Sequence, residues 1–122
     1  NILMSGRSCL INYWKNLKPI DENYSSIDTP VLNIAGWYDV FLQGNLNNFM
    51  GVQKHGKSKK TRESQKLIVG PWIHNCGSYG SQTVTMKTDF GINSLIDLKS
   101  EEKKWDDYWL KGIDNGIETK GK

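Results

Sequence analysis

"PVLNIAGWYD", residues 30–39, and "KLIVGPWIHN", residues 66–75, decide how this chain folds. In the first, a proline opens a run of Val31, Leu32, Ile34 and Ala35 that Gly36 ends, the pattern of a buried strand over residues 29–36. Apolar runs without strict alternation favour a parallel sheet, in which both faces are covered. In the second, the short apolar run 67–69 is broken by Gly70 and Pro71, so the strand is expected to end there. Between them, "VFLQGNLNNFMGVQKHG", residues 40–56, spaces Phe41, Leu42, Leu46, Phe49 and Met50 as one face of a helix. Gly56 is its expected stop, and Gly44 and Gly51 weaken it. Strand, helix, strand is the right-handed crossover unit of a parallel sheet.

Outward from this unit the signals differ in kind. "LKSEEKKWDDYWLKG", residues 98–112, carries Trp105, Tyr108 and Trp109 at helical spacing, with Ser100 as expected N-cap, Glu101 and Glu102 in the first turn and Gly112 as the stop. Residues 75–97 are rich in glycine and small polar residues and read as loop, and a short helix is expected near residues 8–17. The basic run "KHGKSKKTRESQK", residues 54–66, has no interleaved aromatic residue and no surrounding nucleic-acid motif, so it reads as a solvated connection.

Composition bounds the rest. The 122 residues, 37% hydrophobic and 24% charged with a net charge of +3, are those of one ordinary globular domain. No apolar run approaches the roughly 20 residues that span a bilayer, and the start has no signal-peptide pattern; a soluble, cytoplasmic protein with no membrane partner is expected. Cys9 and Cys76 are too few and too distant for a disulfide framework, and with His55 and His74 they make no metal-ligand spacing, so reduced thiols are expected. Asn23-Tyr24-Ser25 fits a glycosylation sequon, which has meaning only in a secreted protein. The chain starts without methionine and ends on a polar "ETKGK", which suggests a piece of something longer.

The chemistry gathers at one edge. Loops leaving the C-terminal ends of parallel strands share an edge of the sheet, where open α/β folds bind ligands. Asp39 leaves the first strand there and His74 the second, and neighbouring strands lie about 4.8 Å apart. A carboxylate that orients an imidazole is the half of a nucleophilic triad that lets the histidine take a proton from a serine. Each residue has a plainer reading: an acid after a strand is commonly a helix cap or turn residue, and a histidine beside Trp72 and Ile73 is commonly a hydrogen-bonded structural one.

"PVLNIAGWYD", "KLIVGPWIHN" and "KKWDDYWLKG", with the lead-in "YWKNLKPIDENYSSIDTPVL", resemble the C-terminal part of the catalytic domain in the CocE/NonD family of serine hydrolases, over about residues 12–114. The resemblance implies an α/β-hydrolase fold, of which the chain is a fragment carrying the last two parallel strands and their helices. The 122 residues would then be the C-terminal portion of that domain, without its nucleophile-bearing part, cap or C-terminal β-sandwich. It implies Asp39 as triad acid and His74 as triad base, with Trp37 and Tyr38 packing the loop that holds the acid. Phe41 falls at a substrate-binding position near the acyl pocket. The resemblance further implies a small-molecule ester or amide as substrate and the rest of the hydrolase chain as partner, and calls for no metal, cofactor or nucleic acid.

The sequence departs from the family at the nucleophile. The Gly-x-Ser-x-x-Gly elbow of such enzymes lies upstream of the acid, and none precedes Asp39 here. "CGSYGS" imitates it at Ser78, but Cys76 stands where the first glycine belongs, no strand leads in, and it follows the histidine. Ser5 and Ser8 have the right order and likewise no strand before them. The chain alone is therefore expected to be inactive and, with a two-stranded sheet open at its edge, marginally folded. The other reading is a small α/β binding or interaction domain in which Asp39 and His74 are structural and the basic run meets a partner.

Overall fold

A computed structural model describes residue 20, residues 23–74 and residues 80–117. The chain forms β1 (Val31–Tyr38), helix α1 (Leu42–His55), a short helix α2 (Lys59–Glu63) and β2 (Gln65–Ile73), then a small hairpin, β3 (Val84–Thr85) with β4 (Thr88–Asp89), and helix α3 (Leu98–Lys111). The expected helix near residues 8–17 and the Ser78 elbow imitation lie outside the described residues. No helix among the described residues is long and apolar enough to cross a membrane.

β1 and β2 pair in parallel, from Val31 opposite Gln65 to Gly36 opposite Gly70. This is the mixed α/β arrangement that the apolar runs predict. Helix α1 packs against β1 and buries Val52, while β1 buries Asn33 and Ala35 on alternate positions. Gly51, a weakness by helix propensity, has a packing reason: a Cβ there would lie 2.2 Å from the Tyr24 ring. The Tyr24 hydroxyl also donates to Asn48 Oδ1 at 3.1 Å, so the absent side chain lets a 3-10 turn at Tyr24–Ser26 lie on α1.

Four sequence expectations need correction. β2 does not end at Gly70-Pro71 but continues to Ile73, because the strand absorbs Pro71 in a bulge. A bulge is one of the few places where a proline, which has no N–H to give a ladder, fits within a sheet.

The basic run is not all solvated connection. It contains α2, capped by Ser58 Oγ accepting from Thr61 N–H at 3.1 Å, and several of its cations have partners within the chain. Lys57 Nζ lies 3.5 Å from Asp28, Arg62 donates to the Gly56 carbonyl at 2.7 Å, and Lys60 Nζ stands 5.1 Å from the Trp109 ring centroid.

Helix α3 starts two residues before Ser100. Asp97, whose carboxylate accepts from Ser100 N–H at 3.1 Å, is its N-cap, so the cap lies three residues upstream of the expected one. Gly112 does stop it, in the left-handed conformation, its N–H returning to the Tyr108 carbonyl at 3.1 Å.

Residues 75–97 are not loop throughout, since they hold the β3–β4 hairpin and a 3-10 turn at Ile92–Ser94. Two-residue strands bury too little to leave a period-two pattern, which is why the hairpin leaves no trace in the sequence.

Candidate active site

Asp39 sits where β1 gives way to α1, and the backbone turns tightly around it. Its N–H donates to the Gly36 carbonyl and its carbonyl accepts from Leu42 N–H, both at 3.1 Å. The two carboxylate oxygens then divide the work. Oδ1 accepts from Phe41 N–H at 2.7 Å, closing an Asx-turn at the start of the helix. Oδ2 lies 3.0 Å from His74 Nδ1. Turn residue and imidazole partner are thus not competing readings of Asp39, because each uses a different oxygen; the N-cap of α1 is Phe41. The side chain is 2% exposed and stands at the N-terminal end of α1, where the helix dipole favours negative charge.

His74 follows the last residue of β2, and the bulge brings it to the acid. Gly36 pairs with Gly70, but Tyr38 pairs with Ile73, so two residues of β2, Pro71 and Trp72, face the single Trp37 of β1. Without that extra residue Ile73 would stand opposite Asp39. With it, His74 does. Gly36 makes room for the bulge, since a Cβ there would lie 2.1 Å from the Trp72 carbonyl oxygen. Gly70 is needed on the other side: a Cβ would meet the Trp72 indole, whose residue is 4% exposed, at 2.2 Å.

An ionised carboxylate is only an acceptor, so Nδ1 of a neutral imidazole facing it carries the hydrogen and Nε2 is the basic nitrogen. The His74 side chain is 45% exposed against 2% for Asp39. A buried acid beside a solvent-accessible imidazole can hold its tautomer and orient it as a general base.

Phe41 belongs to the same cluster. Its ring meets the His74 imidazole edge to face, with centroids 4.8 Å apart and planes at 76°, while the residue as a whole is exposed. The sequence-derived trio of Asp39, His74 and Phe41 is therefore in mutual contact. Tyr38 packs on Phe90, just past the hairpin, with ring centroids 5.9 Å apart. Trp37 is 59% exposed. Sequence reasoning missed the surroundings of the bulge. Thr85 of β3, itself buried, donates its hydroxyl to the Pro71 carbonyl. Only the glycines that face one another across the strands hinted at a close approach.

Comparisons with known proteins give the family. Residues 5–76, more than half of the chain, match the model of the X-Pro dipeptidyl-peptidase (S15 family). Cocaine esterase of Rhodococcus sp. (strain MB1 Bresler) is 34% identical over 62 residues, a stretch that covers 51% of this chain and 9% of that protein. The chain thus corresponds to a small part of this curated relative's length. With a parallel β–α–β unit and the motifs around Asp39 and His74 inside the matched stretch, the chain belongs to the X-Pro dipeptidyl-peptidase (S15) family of serine hydrolases.

Proposed function

We propose that these residues supply the acid and base of a Ser-His-Asp triad in an acyl esterase or peptidase-like hydrolase of α/β-hydrolase fold. The observation that carries this reading is the 3.0 Å contact between buried Asp39 and exposed His74 at the C-terminal edge of a parallel strand pair. Asp39 holds the imidazole with hydrogen on Nδ1, and His74 Nε2 takes the proton of a serine hydroxyl as that oxygen attacks an ester or amide carbonyl. Collapse of the tetrahedral intermediate returns the proton to the leaving alcohol or amine and leaves an acyl-enzyme. Water, deprotonated by the same nitrogen, then releases the carboxylic acid and frees the serine. No step calls for a metal or cofactor.

The serine belongs to the remainder of the hydrolase domain, since no Gly-x-Ser-x-x-Gly precedes Asp39 in the 122 residues. In this reading they are the C-terminal portion of the catalytic domain, and the outer edges of β1 and β2, which no strand covers among the described residues, receive the other strands of the sheet. Phe41, exposed and edge-on to the base, lines the acyl side of the pocket. We also place the protein in the cytoplasm, with Cys9 and Cys76 reduced. The binding-module alternative is weakened where Lys57, Lys60 and Arg62 of the basic run make contacts within the chain.

The test is hydrolysis of p-nitrophenyl acetate by the full-length protein and by its Asp39→Asn and His74→Ala variants. Each should lose turnover by a factor on the order of 10³ to 10⁴. Wild-type rates in both variants would sink the assignment. The 122-residue chain expressed alone should not exceed the buffer rate, because it brings no nucleophile or oxyanion hole.

A further inference from the structure

The register shift that brings His74 opposite Asp39 depends on contacts beyond the ladder itself. A bulged strand carries one residue that the ladder does not pair, and an alternative register without the bulge would point His74 elsewhere. Something must hold Pro71 and Trp72 in place. The Trp72 indole closes over Gly70 from one side. On the other side stands the small β3–β4 hairpin, which touches both strands at the shift. Thr85 donates its hydroxyl to the carbonyl of Pro71, within the bulge of β2. Phe90, just past β4, packs its ring on Tyr38 of β1, the residue paired with Ile73 directly after the bulge and bonded to Asp39. Phe90 is itself anchored, its N–H donating to the Thr83 carbonyl at 2.8 Å. One hairpin therefore grips the strand of the base and the strand of the acid within three residues of each.

We infer that Thr85 is a positioning residue of the active site: its hydroxyl latches the β2 bulge through the Pro71 carbonyl and so keeps His74 in register with Asp39. The role rests on the triad reading of the pair. Thr85 is 7% exposed, so water does not readily replace its hydroxyl, and a variant without it leaves the Pro71 carbonyl short of that donor. Small displacements of a general base are costly to rate and nearly silent in substrate binding, which gives the latch a kinetic signature.

The experiment measures kcat and KM for p-nitrophenyl acetate with the full-length protein and its Thr85→Val, Thr85→Ser and His74→Ala variants, each checked for folding by circular dichroism. Thr85→Val, which keeps the shape and removes the hydroxyl, should lower kcat about tenfold with KM within about twofold. Thr85→Ser restores the donor and should stay within about twofold of wild type in kcat. A role in stability alone would lower the melting temperature and leave the kcat of the folded enzyme unchanged, and that result overturns the proposal. Equal impairment in Thr85→Ser and Thr85→Val overturns it as well.

Should Thr85→Val not be recovered folded, Phe90→Leu probes the same hairpin from the β1 side. A kcat reduced about threefold at unchanged KM supports the latch, and wild-type kcat overturns it. The two levels separate cleanly. Full activity in His74→Ala brings down the triad reading and the latch with it, whereas an inactive His74→Ala beside an unimpaired, folded Thr85→Val removes the latch alone.

Discussion

Two aspartates bracket β1, and their surroundings are opposites. Asp28 precedes the strand and Asp39 follows it, and each reaches across the crossover to a residue that flanks β2. At the N-terminal end Asp28 accepts from Thr61 Oγ1 at 3.0 Å and lies 3.5 Å from Lys57 Nζ. At the C-terminal end Asp39 faces His74. Hydroxyls and an ammonium do not change protonation near neutral pH, whereas an imidazole does. On the proposed triad, an acid at a strand end is made functional by its partner. Both aspartates stabilise their corners; only one of them faces a group that can carry a proton in and out of a reaction.

The sharpest way to break the comparison is to neutralise both acids in the full-length protein. Asp39→Asn should reduce esterase turnover by a factor on the order of 10³ to 10⁴, since an amide no longer holds the imidazole in the productive tautomer. Asp28→Asn, an equally conservative change at the other end of the same strand, should stay within about threefold of wild type. Equal losses would mean that Asp39 acts on activity only through stability.

Next in size is Gly36→Ala. The added Cβ would meet the Trp72 carbonyl oxygen at 2.1 Å, and backbone cannot swing aside as the tip of a long side chain can. The strands must shift where the bulge forms, at a cost of about 2 to 3 kcal/mol in unfolding free energy. Urea denaturation of the full-length variant measures this, and Gly44→Ala is the internal control. Gly44 sits in α1 with nothing within 4 Å of where a Cβ would stand, so alanine there should stabilise by about 0.5 to 1 kcal/mol.

That pair of glycines also marks how far the sequence could be read. The parallel strand pair, the crossover helix and the placement of Asp39 and His74 on one edge all follow from apolar runs, helical spacing and a general rule of sheet topology. The family resemblance added the expectation that the pair serves as acid and base. What stayed hidden is the bulge, because Gly70-Pro71 carries the same local signal whether a strand ends there or bends through. The deciding information lies in Gly36, 34 positions upstream, whose missing side chain receives the Trp72 carbonyl. The N-cap of α3 was hidden for a related reason: Asp97 and Ser100 are both good caps, and only the chain direction before the helix chooses between them. Thr85 left no signal, since a lone threonine in a small polar stretch says nothing of a carbonyl fourteen residues back.

A smaller effect tests the N-terminal corner. Thr61 is 2% exposed and donates to Asp28, with its Oγ1 2.9 Å from Ser58 Oγ. Thr61→Val keeps the volume and deletes the hydroxyl, which should destabilise the protein by about 2 kcal/mol, a typical figure for a hydrogen bond to a charged group. Thermal or urea unfolding reads it, and turnover per folded molecule should not change. A fall in turnover with stability intact would show that this corner communicates with the site, and the contrast between the two aspartates would weaken.

The smallest effect is a dependence on pH. Hydrogen bonds from Ser58 and Thr61, with the Lys57 charge behind them, hold the Asp28 carboxyl below its ordinary value of 3.8. In the folded state Asp28 therefore gives up its proton more readily than in the unfolded chain, and as pH falls the unfolded chain binds that proton first. The stabilisation is complete well above the ordinary carboxylate value and is lost as the pH falls through it and below. Urea midpoints between about pH 7 and pH 3 should fall more steeply in the wild type than in Asp28→Asn, with the two curves converging at the acid end. The side chain is 43% exposed, so the divergence should be modest and shrink in high salt, as screening of a surface pair requires. Parallel curves would mean that the hydroxyls of Ser58 and Thr61 serve a neutral group equally well, and that charge at this end of β1 is incidental to the corner it holds.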